Sequence, residues 1–158
     1  MTSGIFAENV LTPDGWRKNA RLSIADGNIT ALTFDTQAKA DEERYEIIVP
    51  AVSNVHSHAF QRAMAGLAER RGPASDNFWS WREVMYRFTF AIAPDEAEAI
   101  AAQLYVEMLE AGFCHVGEFH YLHNDENGRH YDNIGEMAER IAAAASDTGI
   151  GLTLLPVF

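Results

Sequence analysis

Only 12 lysines and arginines stand against 23 aspartates and glutamates among the 158 residues, a formal net charge of −11. A chain so poor in cations repels a phosphate backbone instead of displacing its counterions, so nucleic acid is excluded as a partner. Nowhere do apolar residues run for the roughly 20 positions that a bilayer crossing needs. The opening MTSGIFAENV has neither the basic flank nor the apolar stretch of a secretory signal. The expectation is a cytoplasmic protein that keeps off membranes. A single cysteine, Cys114, allows no internal disulfide, and its apolar setting, FCHVG, suggests a buried, inert thiol. A glycine-rich phosphate loop, a nucleophile elbow and paired cysteines are also missing. What remains is the make-up of a soluble globular chain, 47% hydrophobic and 22% charged.

From Gly4 to Phe34 short apolar runs alternate with turn chemistry at Pro13-Asp14-Gly15 and Ala25-Asp26-Gly27-Asn28, which predicts a small antiparallel meander. Residues 35–45, DTQAKADEERY, read as a polar surface connection, and a domain boundary is expected near Tyr45, dividing the chain into 1–45 and 46–158. Beyond it strands and helices alternate. Pro94 suits a first helical position, Asp95, Glu96 and Glu98 load the first turn with favourable charge, and Gly112 can close the helix. Its apolar stripe is Ala97, Ile100, Ala101, Leu104 and Met108. FCHVGEF follows as a strand, a second helix is expected from a cap at Asp132 to Gly149, and IGLTLLPVF closes as a strand suited to burial on both faces.

That order is the order of a parallel α/β sheet. A closed (β/α)₈ barrel takes about 200 to 250 residues. Only three barrel strands are countable here, near 46–56, 113–119 and 150–158. The fold expected is therefore a truncated α/β barrel, the N-terminal part of a longer one, preceded by a small antiparallel β domain; a small complete α/β domain is the alternative.

His56 and His58 form a His-Ser-His triplet where the first barrel strand runs out. Side chains alternate along a strand, so both imidazoles point to one side, close enough to share a metal ion, and strand C-termini are where barrels build active sites. Two ordinary polar histidines remain the plain alternative. The placement resembles the amidohydrolase superfamily. The stretches SNVHSHAFQRAMAGLAER, NFWSWREVMYRF and GEFHYLHND, in that order, resemble the formimidoylglutamate deiminases of histidine degradation, over essentially the whole chain. One difference is visible, since VPAVSNVHSH lacks the Pro-Gly turn usual before the histidines.

The resemblance implies that His56 and His58 bind a divalent metal, zinc first among the candidates, which lowers the pKa of a water to roughly 7. It implies a full-length enzyme that hydrolyses a small molecule, N-formimidoyl-L-glutamate, to N-formyl-L-glutamate and ammonia, and it leaves a homodimer open as the assembly. It also implies that Gln61, Arg82 and Tyr121 contact substrate. Read without it, Gln61 is a helix-surface residue, Arg82 an exposed partner of Glu83, and Tyr121 a loop aromatic. No catalytic residue is expected within the chain. The general base and remaining ligands are expected beyond Phe158, so these 158 residues alone should be inactive.

The other polar residues carry plainer expectations. His115 reads as a core histidine and His130 as a solvated turn residue. His120 and His123 either shape the pocket or bond loop carbonyls, and Glu118 either supports a group behind the site or pairs with an arginine. Glu69, Arg70 and Arg71 read as a solvated helix end. Phe78, Trp79 and Trp81 are candidates to wall the pocket. The competing functions are an aminohydrolase acting on guanine or a triazine, and a fragment without catalysis.

Overall fold

A computed structural model describes residues 3–67 and 77–157, so the Glu69, Arg70 and Arg71 run lies outside the described residues. The chain divides into two compact units, Met1–Ala51 and Val52–Phe158.

In the first unit β1 (Ser3–Thr12), β2 (Gly15–Ala25) and β3 (Asn28–Thr33) form the expected meander. The β2–β3 hairpin turns on Asp26 and Gly27, both with positive φ, in a two-residue loop between the paired Ala25 and Asn28. Asp-Gly tolerates that mirror-image turn, whose twist matches the strands it joins. A fourth strand, β4 (Glu43–Ile48), completes the order β3-β2-β1-β4 by pairing parallel to β1, with Ala7 opposite Tyr45. Part of the segment expected to be a loose connection is thus a strand. The domain boundary near Tyr45 therefore moves to 51/52, because backbone pairing to β1 assigns β4 to the first sheet although nearly all its side chains are exposed. The connection before it is tied down by Arg21, whose guanidinium reaches the Glu42 carboxylate, Thr36 Oγ1 at 3.0 Å and the Gln37 carbonyl at 2.6 Å. Ala7, Val10, Ala20 and Leu22 make a small core.

The second unit is α/β. Three parallel strands, β5 (Val52–Ser57), β6 (Phe113–His120) and β7 (Gly151–Pro156), lie in the order β5-β6-β7. A 3₁₀ helix, Ala59–Met64, follows β5. The helices α1 (Phe78–Thr89) and α2 (Pro94–Glu110) precede β6, and α3 (Glu136–Thr148) precedes β7. Asn77 caps α1, its Oδ1 accepting the Trp79 amide at 2.8 Å. α2 opens on Pro94 with Asp95 and Glu96 in its first turn, as its sequence signals require. α3 starts later than Asp132, because the Asn133 side chain accepts the Gly135 amide in a local turn. It ends on Gly149 at φ 81, a left-handed cap that glycine adopts without steric cost.

Ala101, Tyr105, Val116, Ile141, Ala144 and Ile150 bury one core of this unit, and Phe60, Met64, Met85, Ala97, Leu122 and Met137 another. Cys114 is exposed, not buried, because it sits near the start of β6 ahead of the part that the helices cover. β7 is only partly buried, with Leu155 exposed, because as an edge strand of this sheet it pairs with β6 alone. Among the described residues no helix is long and apolar enough to cross a membrane.

Candidate active site

The pairing of β5 with β6 shapes the histidine segment. Asn54 lies opposite Val116 and Ser57 opposite Glu118, so three steps on β5 face two on β6, a bulge. A Cβ at Gly117 would sit 3.3 Å from the Val55 carbonyl oxygen; glycine there leaves room for the bulging backbone. Within the bulge the His56 amide donates to Asn54 Oδ1 at 3.1 Å.

The two imidazoles meet edge to face, ring centroids 4.8 Å apart, so they do share a side. His58 Nδ1 lies 2.9 Å from the Phe119 carbonyl oxygen. A carbonyl only accepts, so Nδ1 carries a proton, which leaves Nε2 as the nitrogen that can face a metal. Rings of Phe119 and Tyr121 stand edge-on to His58 at 5.4 Å and 5.1 Å, which fixes its plane. His56 is the more exposed of the pair. Among the described residues no group of three His, Cys, Asp or Glu side chains is arranged to hold a metal ion.

Behind the histidines stands Glu118, 1% exposed. Its Oε1 accepts the Ala59 amide at 2.6 Å and its Oε2 accepts from the Tyr105 hydroxyl at 3.4 Å, and Ser57 is its register partner on β5. Of the two alternatives for Glu118, the arginine pairing is not found among the described residues. Burial raises its pKa, and the donors around it act the other way.

Gln61 and Tyr121 come together beside His58. Gln61 Nε2 donates to the Tyr121 hydroxyl at 3.0 Å, and both reach Met85 Sδ on α1, at 3.8 Å and 3.6 Å. Burial raises the Tyr121 pKa, so it stands as a neutral phenol. Arg82 lies one turn before Met85. Its partner is Tyr86, not Glu83, with Nε and Nη2 3.0 Å and 2.6 Å from that hydroxyl. Its guanidinium does not touch the histidines. Phe78 and Trp79 are exposed and wall nothing off among the described residues, whereas Trp81 packs against the core.

His115 is half-buried rather than a core residue, with Nε2 2.8 Å from Thr153 Oγ1. His123 Nε2 donates to the Val157 carbonyl at 2.7 Å. His120 is 4% exposed, and its Nε2 finds no hydrogen-bond partner among the described residues. A cavity of about 450 Å³ belongs to the first unit, lined by Arg21, Lys39, Asp41 and Glu42, and carries none of this chemistry. Sequence reasoning missed Met85, Tyr86, Tyr105 and the Phe119 carbonyl. Only Tyr86 had a local signal, its four-residue spacing from Arg82 on one helix face.

Residues 2–46 match the family described as formimidoylglutamate deiminase HutF, N-terminal domain. Over 156 residues the chain is 52% identical to the formimidoylglutamate deiminase of Pseudomonas aeruginosa, covering 98% of this chain and 34% of that protein. The chain matches the N-terminal third of a formimidoylglutamate deiminase. A crystal structure of an amidohydrolase from Brucella melitensis superposes on this deiminase-like chain with a TM-score of 0.93 at 57% identity, covering 99% of the chain and 35% of that structure. An atrazine chlorohydrolase from Arthrobacter aurescens TC1, crystallised with zinc, superposes with a TM-score of 0.72 at 20% identity, over 96% of this chain and 35% of its own. At that identity the likeness shows a shared fold alone. The chain thus spans about a third of the length of the relatives it matches.

Proposed function

We propose that the protein carrying this chain is a metal-dependent formimidoylglutamate deiminase, converting N-formimidoyl-L-glutamate and water into N-formyl-L-glutamate and ammonia. The observation that carries the reading is the His56–His58 pair, held edge to face with the His58 Nδ1 proton committed to the Phe119 carbonyl. The 52% identity to a deiminase supports the choice of reaction over the ring-directed chemistries of the more distant neighbours.

The donor set fits a divalent metal, and zinc is the ion named with the atrazine chlorohydrolase. His56 and His58 would supply two imidazole nitrogens. A catalytic zinc normally has three protein ligands, so we assign the remaining donors and the general base to the portion of the relatives' length that this chain does not span. When bound, the metal supplies the Lewis acidity that makes water a nucleophile near neutral pH.

The chain's own residues bind and orient. The Tyr121 phenol, held by Gln61 beside His58, can turn its O–H from the Met85 sulfur to one end of the substrate. The Arg82 fork matches a carboxylate, of which formimidoylglutamate carries two. The rings of Phe119, Tyr121 and Phe60 close one side of the site against water.

The test is ammonia release by the full-length protein from formimidoylglutamate, guanine and a triazine side by side. Turnover of formimidoylglutamate with N-formylglutamate as co-product supports the assignment. Turnover of a ring substrate in preference, or of none of the three, contradicts it.

A further inference from the structure

We infer that Glu118 is a positioning residue for the metal site, holding the backbone on both sides of His58 so that its Nε2 stays aimed. The inference rests on the reading of His58 as a metal ligand.

A carboxylate 1% exposed is costly unless it is fully paired, and no cation pairs with this one among the described residues. Its hydrogen-bond partners are instead neutral donors, the Ala59 amide and the Tyr105 hydroxyl. The Ala59 amide donates to the side chain at 2.6 Å, and Ser57 is paired with Glu118 across β5 and β6, so the residues before and after His58 both meet this one residue. Tyr105, fully buried on α2, steadies the other oxygen at 3.4 Å. The Ala59 amide is the first of the 3₁₀ helix and has no partner within that helix, so the carboxylate satisfies an otherwise orphaned donor.

His58 therefore turns between two supports from neighbouring β6 residues. Glu118 fixes its backbone, and the Phe119 carbonyl fixes its ring. A strand's side chains stand off the sheet while its carbonyls lie in the sheet plane, which is how one short stretch of β6 supplies both. Gln61, three residues along in the same 3₁₀ helix, inherits its place beside Tyr121 from this anchor.

The experiment uses the full-length protein and reads zinc affinity by chelator competition, with the visible spectrum of the cobalt-substituted form as the signature of ligand geometry. Glu118→Gln keeps an oxygen for the Ala59 amide and should bind zinc within about threefold of the parent. Glu118→Met keeps the volume and removes the acceptor, and should weaken zinc binding about 10- to 100-fold with an altered cobalt spectrum. Glu118→Asp withdraws the acceptor by one methylene while keeping the charge. It should behave like Glu118→Met, and it serves if that variant fails to fold. His58→Ala is the control: if it keeps its zinc, the ligand reading itself is wrong. If it loses zinc while Glu118→Asp and any folded Glu118→Met bind zinc like the parent, the positioning role is overturned.

Discussion

Arg82 commits its guanidinium to its own helix, Nε and Nη2 both resting on the Tyr86 hydroxyl, with the Tyr86 ring 5.1 Å from its centre. That arrangement preorganises a planar fork and leaves its remaining N–H groups for a carboxylate. Arg82→Lys in the full-length enzyme keeps the charge and loses the fork, so KM for formimidoylglutamate should rise roughly tenfold, about 1.4 kcal/mol, with kcat little changed. Steady-state kinetics decide it, and values within twofold of the parent in a normally folded variant would return Arg82 to a surface role. His120 gives the second test at this scale. Burial foremost, then the nearby His123, lowers its pKa from 6.5 to about 4. Between those values the unfolded chain holds the proton that the folded one refuses. The stability that neutral His120 supports is therefore complete above pH 6.5 and is lost as the pH falls towards 4, by at most about 3 kcal/mol. His120→Leu should flatten the fall in melting temperature across that interval; an unchanged slope would show that His120 takes no part in it.

Whether an element could be read in advance follows from where its stability comes from. α2 announces itself because its signals are local: a proline at its first position, acids in its first turn and an apolar face at helical spacing. β4 does not, because Glu43–Ile48 is held by pairing with β1, some 38 residues earlier at Ala7 and Tyr45, and its exposed side chains carry no burial pattern. The start of α3 was masked by Asn133, which binds the Gly135 amide where Asp132 would have capped. In the site, strand alternation was enough to place His56 and His58 together, while the contacts that give the pair its setting were not legible. Glu118 is 59 residues from Ala59, and Gln61 is 60 from Tyr121. Such partners are chosen by the packing of β5, β6 and the helices, and no spacing along the chain encodes them.

At the scale of the whole molecule, a four-stranded β unit is followed by a three-stranded parallel α/β unit whose first strand delivers the histidines. Two imidazoles offer half of a tetrahedral coordination shell, and relatives about three times as long provide room for the rest. A shared metal is the claim on which the substrate, the Arg82 fork and the Glu118 anchor all depend. The most direct measurement is the zinc content of the full-length protein and of its His56→Ala and His58→Ala variants, taken together with ammonia release from formimidoylglutamate. A bound metal in the parent, lost with at least a hundredfold of the rate in each folded variant, is the expected result; either variant retaining full metal and full rate would contradict it.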